Sequence, residues 1–165
     1  RPQLEQIGFE GFVRLQDPPD TDVPTAAGVY AVLRARSGQP VTFLTTSPAG
    51  IIGGRDPSAS LDTLAEAWVN DVEVLYFGKA PGTRRLRRRL DTYRRHGTGR
   101  TARHWGGRYI WQLADADQLL VAWKLAQDEQ PYVAEAGLIR EFVEATGRRP
   151  SANRSLARRR ISTEP

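Results

Sequence analysis

The sequence predicts an α+β domain, and three observations lead there. Short segments rich in β-branched and aromatic residues, at 28–35, 72–76 and 119–125, are separated by turn residues. Two longer segments, beginning near 83 and at 131, repeat apolar residues at helical spacing instead. The 165 residues contain no internal repeat and suffice for one hydrophobic core.

Taken in order, residues 1–25 hold Phe9, Phe12, Val13 and Leu15 and read as a short strand or an arm, closed by Asp17-Pro18-Pro19-Asp20. Gly28 to Ala35 reads as a strand in which Tyr30 faces away from Val29 and Ala31. Ser37 to Pro40 turns the chain, and Val41 to Thr46 is expected to pair back as a hairpin. Gly50 to Gly54 lacks the spacing and strand-to-helix context of a phosphate loop, and is expected to be a plain connection. Ser60 is placed to cap a short helix reaching about Asn70, with Leu61, Leu64, Ala65 and Trp68 on one face.

Val72 to Tyr76 runs into Gly78 as a buried strand would. Thr83 is an N-cap candidate for the helix that carries Leu86, Leu90 and Tyr93. Residues 97–108 contain four glycines among basic side chains and read as a loop. Tyr109 to Leu113 and Leu119 to Leu125 are strand candidates, although the second pattern also suits a helix. Pro131 opens a long helix that Gly147 ends. Residues 148–154 form a loop, followed by a basic tail. The expected organisation is an arm (1–26), a domain (27–154, with 36–70 inserted) and a tail (155–165).

Composition narrows the chemistry. With no cysteine, a disulfide framework and a thiolate zinc site are excluded, and two histidines make an imidazole-rich metal site a poor fit. No apolar run approaches 18 residues, so no transmembrane helix and no membrane partner is expected. The start lacks Met and does not resemble a signal peptide, so it reads as a trimmed N-terminus. A cytoplasmic protein fits these features.

Charge is concentrated. Residues 1–70 carry 5 basic and 8 acidic side chains, a net of −3. Residues 71–112 carry 11 and 3, a net of +8, and residues 113–165 carry 8 of each. Such a cluster favours a polyanion, most simply nucleic acid. Arg85, Arg88, Arg100, Arg103, His104 and Arg108 are the candidate phosphate contacts, with Trp105 available for stacking. An ordinary solvated basic loop is the alternative. His96 and His104 read as surface or backbone contacts rather than catalytic bases.

Two charged residues sit beside apolar stripes. At about 100° per residue, Leu86, Leu90 and Tyr93 form one stripe, and Arg89 lies roughly 60° from Leu86. Arg94 flanks the other side, near the helix end where water reaches it. A half-buried cation needs an anion; for Arg89 this is either a neighbouring carboxylate or a phosphate, which the planar guanidinium suits. Glu135 shares the apolar face of Ile139 and Phe142. It is either one half of a buried ion pair, with Arg89 as one partner, or a ligand for a hard cation such as Mg²⁺. Tyr30, by pattern alone, is a packing residue.

Together these pieces resemble the GIY-YIG nuclease family. Gly28-Val29-Tyr30 resembles its first motif and Tyr76-Phe77-Gly78-Lys79 its second. Leu86 through Tyr93 resembles the helix bearing the active-site arginine. Glu135 in a helix, followed by Pro150 and Asn153, resembles the acidic residue and terminal asparagine. The ordered set spans residues 28–153.

The resemblance implies a small three-stranded antiparallel sheet flanked by helices, with an inserted hairpin and helix somewhat like restriction-type members. It implies strands near 28–34, 72–77 and 119–125, and a site in which Arg89 and Glu135 meet the motif tyrosines. It further implies an endonuclease using Mg²⁺ or Mn²⁺ on DNA. Its catalytic set would be Tyr30, Tyr76, Lys79, Arg89, Tyr93, Glu135 and Asn153, with Glu135 as metal ligand. A non-cleaving nucleic-acid-binding module on the same scaffold is the alternative. The tyrosines at 30 and 76 stand 46 positions apart (76 − 30), far more than in compact members. Val29 and Phe77 replace isoleucine, and Tyr93 follows the excision-repair pattern rather than the histidine frequent in restriction-type members.

Overall fold

A computed structural model describes residues 1–17, 22–35, 38–82, 85–100, 105–126 and 129–154. Its centre is an antiparallel sheet of four strands: β1 (Glu10–Arg14), β2 (Gly28–Leu33), β3 (Val74–Ala80) and β4 (Leu120–Leu125), in the order β1-β4-β2-β3. Among the described residues, helices α1 (Pro2–Gln6), α2 (Leu61–Ala67), α3 (Leu86–Gly97) and α4 (Pro131–Thr146) accompany it, with short 3-10 turns at Arg108–Gln112 and Ala116–Gln118. No helix among the described residues is long and apolar enough to cross a membrane.

All six residues of β2 are buried, because β3 and β4 occupy both its edges and helices cover both its faces. The two-residue period of the strand sorts its side chains. Tyr30 and Val32 join Tyr76, Leu86, Leu90 and Tyr93 in a core under α3. Val29, Ala31 and Leu33 join Phe77, Ile139, Leu4 and Phe9 in a second core under α4 and α1. The first core is aromatic and polar-edged, and the second is nearly all aliphatic and Phe.

The sheet has four strands, not three. The extra strand is β1, from the stretch read as strand or arm. Its alternation is hard to read because Gly11 (φ +96°) and Phe12 (φ +54°) form a bulge that shifts the register between Gly11 and Val13.

The expected hairpin at Val41 to Thr46 does not form. With both edges of β2 taken, this segment bonds residues 112–114 instead: Leu44 N–H donates to Gln112 O (2.7 Å), and Ala114 N–H to Thr42 O (2.9 Å). Tyr109 to Leu113 is a 3-10 turn rather than a strand, entered through Gly107 in a left-handed conformation (φ +70°). Buried Gln112 anchors the insertion: it accepts from Ala59 N–H (2.7 Å) and donates to Leu44 O and Ala59 O (3.0 Å each).

Ser60 caps α2 as expected, accepting from Thr63 N–H at 3.2 Å. The Thr83 cap lies outside the described residues. The first N–H groups of α3 are satisfied instead by backbone: Leu86 donates to Ala26 O (2.9 Å) and Arg87 to Pro24 O (3.1 Å). This fastens the approach to β2 onto the helix that carries Arg89. The expected α4 ends as read, at Gly147 with φ +72°. The basic tail from 155 lies outside the described residues.

Candidate active site

Three tyrosines from three elements meet on the α3 side of the sheet. Ring centroids of Tyr30 (β2), Tyr76 (β3) and Tyr93 (α3) are 6.0, 6.1 and 5.7 Å apart, a nearly equilateral triangle of tilted rings. Tyr30 and Tyr93 are 0% exposed.

Tyr30 lies across the neighbouring strand at Gly78, its partner in the β2–β3 register. A Cβ there would fall 2.3 Å from Tyr30 Cζ. The motif glycine therefore makes room for the motif tyrosine. Gly78→Ala is expected to cost about 1–3 kcal/mol by overpacking a ring that has nowhere to move. A thermal melt checks this: an unchanged Tm would mean that the ring can shift.

Gly107 runs close over the trio. Tyr93 O–H donates to Gly107 O at 2.7 Å, and a Cβ on Gly107 would sit 2.3 Å from that hydroxyl oxygen. Gly106 lies against the Tyr76 hydroxyl. Only glycines let this segment run so close over the rings.

Arg89, one turn before Tyr93, is half-buried and hydrogen-bonded to Tyr30, which also bonds Tyr76. Its Nε is buried and finds no acceptor among the described residues. Burial works against the Arg89 charge, but the phenolic oxygens of Tyr30 and Tyr76 more than offset it, and its pKa is raised. Burial also raises all three tyrosines above their ordinary value of 10, Tyr76 and Tyr93 furthest. At Tyr30 the Arg89 charge and hydrogen bond only partly counter this.

The sign follows from linkage. The fold favours the neutral phenols, so their contribution to stability is complete below pH 10 and is lost as pH rises through the raised values. Absorbance at 295 nm is expected to show these three tyrosines ionising only together with loss of structure by circular dichroism. Ionisation of these three tyrosines in a protein that stays folded would contradict that.

Glu135 projects from α4, on the opposite face, and is 5% exposed. Its carboxylate forms an ion pair with Lys79 of β3, not with Arg89. Lys79 in turn lies 4.8 Å from the ring centroid of Tyr132, one turn earlier on α4. Burial raises the Glu135 pKa, and Lys79 and Arg89 oppose the rise. The Glu135 charge also acts on Tyr30 and Tyr76, so one electrostatic site spans the sheet. Among the described residues, no three His, Cys, Asp or Glu side chains come together as a metal cage.

Asn153 pins the free edge of β3. It accepts from Phe77 N–H and donates to Phe77 O, both at 2.9 Å, beside Tyr76. Ala152 N–H donates to Leu75 O at 2.9 Å in the same edge.

The basic candidates divide. Arg85, Arg88 and Arg100 are exposed, Arg108 is half-buried, and Arg103 and His104 lie outside the described residues. His96 is fully buried against Trp105 rather than at the surface, because Gly97 brings the helix end onto Trp111. Arg94 is also less open than expected; it is half-buried and paired with Asp91 at 2.7 Å.

Tyr132, Gly106 and Gly107 were not legible as site residues. Tyr132 could have been found, since it stands three residues before Glu135 on a helix. The two glycines give no local signal. Comparison of the chain with protein families, with curated proteins and with solved structures finds no match.

Proposed function

We propose that this chain is a metal-dependent endonuclease of the GIY-YIG kind, hydrolysing phosphodiester bonds in DNA. The observation that carries this reading is the tyrosine trio beside a half-buried guanidinium whose Nε has no acceptor among the described residues. A core of apolar residues would be at least as stable. A phosphate oxygen is the acceptor that such a guanidinium suits.

The donor set fits Mg²⁺ or Mn²⁺. These hard cations accept one carboxylate with water and substrate oxygens completing the shell, and Glu135 is such a carboxylate. When bound, the metal supplies Lewis-acid polarisation of the scissile phosphate and stabilisation of the leaving oxygen. Arg89 neutralises charge that grows on the phosphoryl oxygens. Tyr30, hydrogen-bonded to Arg89 and Tyr76, orients the attacking water. Tyr93 has its proton committed to Gly107 and holds the trio in shape. Lys79 balances Glu135 in the free protein and is the second cation available to a phosphate. Asn153 keeps the β3 end in place. Exposed Arg85, Arg88 and Arg100 hold the flanking backbone, and lost affinity at high salt is their signature.

A second reading has one observation in its favour. Because Lys79 already neutralises Glu135, the acid does not oppose phosphate binding, and the scaffold could bind nucleic acid without cutting it. End-labelled single-stranded and duplex oligonucleotides, incubated with Mg²⁺, Mn²⁺ or EDTA, separate the two. Metal-dependent fragments support the nuclease. Retained strands with measurable binding support the module.

A further inference from the structure

Beside the tyrosine trio lies a cluster that the reaction above does not use. Trp105, Arg108 and Tyr109 are half-buried and Arg154 is exposed. The Arg108 guanidinium carbon is 5.6 Å from the Trp105 ring centroid and 5.5 Å from that of Tyr109. The Arg154 guanidinium carbon is 5.4 Å from the Tyr109 ring centroid. Two cations thus share one aromatic ring. Neither forms a salt bridge among the described residues, and Arg108 Nε is buried without a hydrogen-bond partner. Burial and the neighbouring Arg154 charge lower the Arg108 pKa, and only the exposed Asp56 opposes this electrostatically beside Tyr109. Among the described residues, no carboxylate comes within ion-pair distance of either guanidinium.

The chain ties this cluster to the site by single-residue steps. Arg108 follows Gly107, whose carbonyl holds Tyr93. Arg154 follows Asn153, whose amide clamps Phe77 next to Tyr76. The segments that carry the cluster are thus the same ones that hold Tyr93 and the β3 edge beside Tyr76.

We propose that Trp105, Arg108, Tyr109 and Arg154 seat one unpaired nucleotide of the substrate strand, the guanidiniums taking its phosphate and the rings stacking its base. Aromatic faces are usable only by a base out of the duplex stack, so the substrate class is a strand with unpaired nucleotides rather than continuous duplex. This rests on the nucleic-acid reading above. An internal staple of cation–aromatic contacts would show the same rings, but it would not respond to a missing base.

Fluorescence anisotropy in EDTA tests it on the whole chain, using labelled 20-mers: oligo-dT, oligo-rU, an abasic strand and a blunt duplex. The parent is expected to bind oligo-dT or oligo-rU at least tenfold more tightly than the duplex or the abasic strand. Trp105→Ala is expected to lower that affinity about tenfold or more and to erase the advantage over the abasic strand. Trp105→Phe, which keeps a ring, is expected to restore most of it. Arg154→Gln, at an exposed position, is expected to reduce the slope of log affinity against log salt by about 0.7. The ribose and deoxyribose strands show which sugar the seat takes.

Equal binding of oligo-dT and duplex, or oligo-dT binding untouched by Trp105→Ala and Arg154→Gln, would overturn the seat. Single-strand preference without cleavage of any strand would sustain the seat and sink the nuclease reading. Cleavage without that preference would do the reverse.

Discussion

Arg89→Lys is expected to lower the cleavage rate about a thousandfold, about 4 kcal/mol of transition-state stabilisation, while the protein stays folded. Lysine keeps the charge but not the planar fork, so it cannot hold Tyr30 and a phosphate in the same fixed geometry. The half-buried position makes the loss larger than at an exposed basic residue, where water replaces the cation. Arg85→Gln or Arg88→Gln is the comparison, since both positions are exposed. They are expected to weaken binding and flatten its salt dependence, with the rate at saturating substrate little changed. Equal effects at positions 85, 88 and 89 would mean that α3 is only a basic surface.

Glu135→Gln is expected to remove at least as much activity and very little stability. The carboxylate is desolvated enough that burial outweighs the pull of Lys79 and Arg89, so its pKa is raised. A raised carboxylate is one whose ionised form the fold does not favour, and its stability contribution declines as pH rises through the raised value. The amide keeps the shape and removes the charge. The Tm is therefore expected to stay within a few degrees of the parent, while metal-dependent cleavage falls about a thousandfold or more. Lost activity accompanied by a collapsed Tm would instead make Glu135 a structural partner of Lys79.

The sequence made the polar residues of the core legible for a definite reason. Arg89 and Glu135 interrupt apolar stripes at helical spacing, and a charge there demands an answer. Alternation in β2 told which way Tyr30 faces, and the register then puts it on Gly78. Charge pairing across the sheet was not legible. Glu135 meets Lys79, 56 positions away in the chain, because β3 and α4 pack together, which no local pattern encodes. The expected hairpin failed for a similar reason: Val41 to Thr46 has strand composition, but both edges of β2 were already filled. β1 escaped because a bulge at Gly11 and Phe12 breaks the alternation by which strands are recognised. Tyr109 to Leu113 has strand composition too, yet the left-handed turn at Gly107 delivers it as a 3-10 turn. Composition specifies what a segment prefers, and the neighbours decide what is left for it to pair with.

Nicking of negatively supercoiled plasmid, whose torsional strain opens stretches of unpaired nucleotides, parent against Glu135→Ala, with Mg²⁺, Mn²⁺ or EDTA, tests the central claim most directly. The expected result is cutting or nicking by the parent with either metal, none in EDTA, and none by the variant. Cutting that survives Glu135→Ala, or that proceeds equally in EDTA, would contradict a metal-dependent site built on Glu135, Arg89 and the three tyrosines.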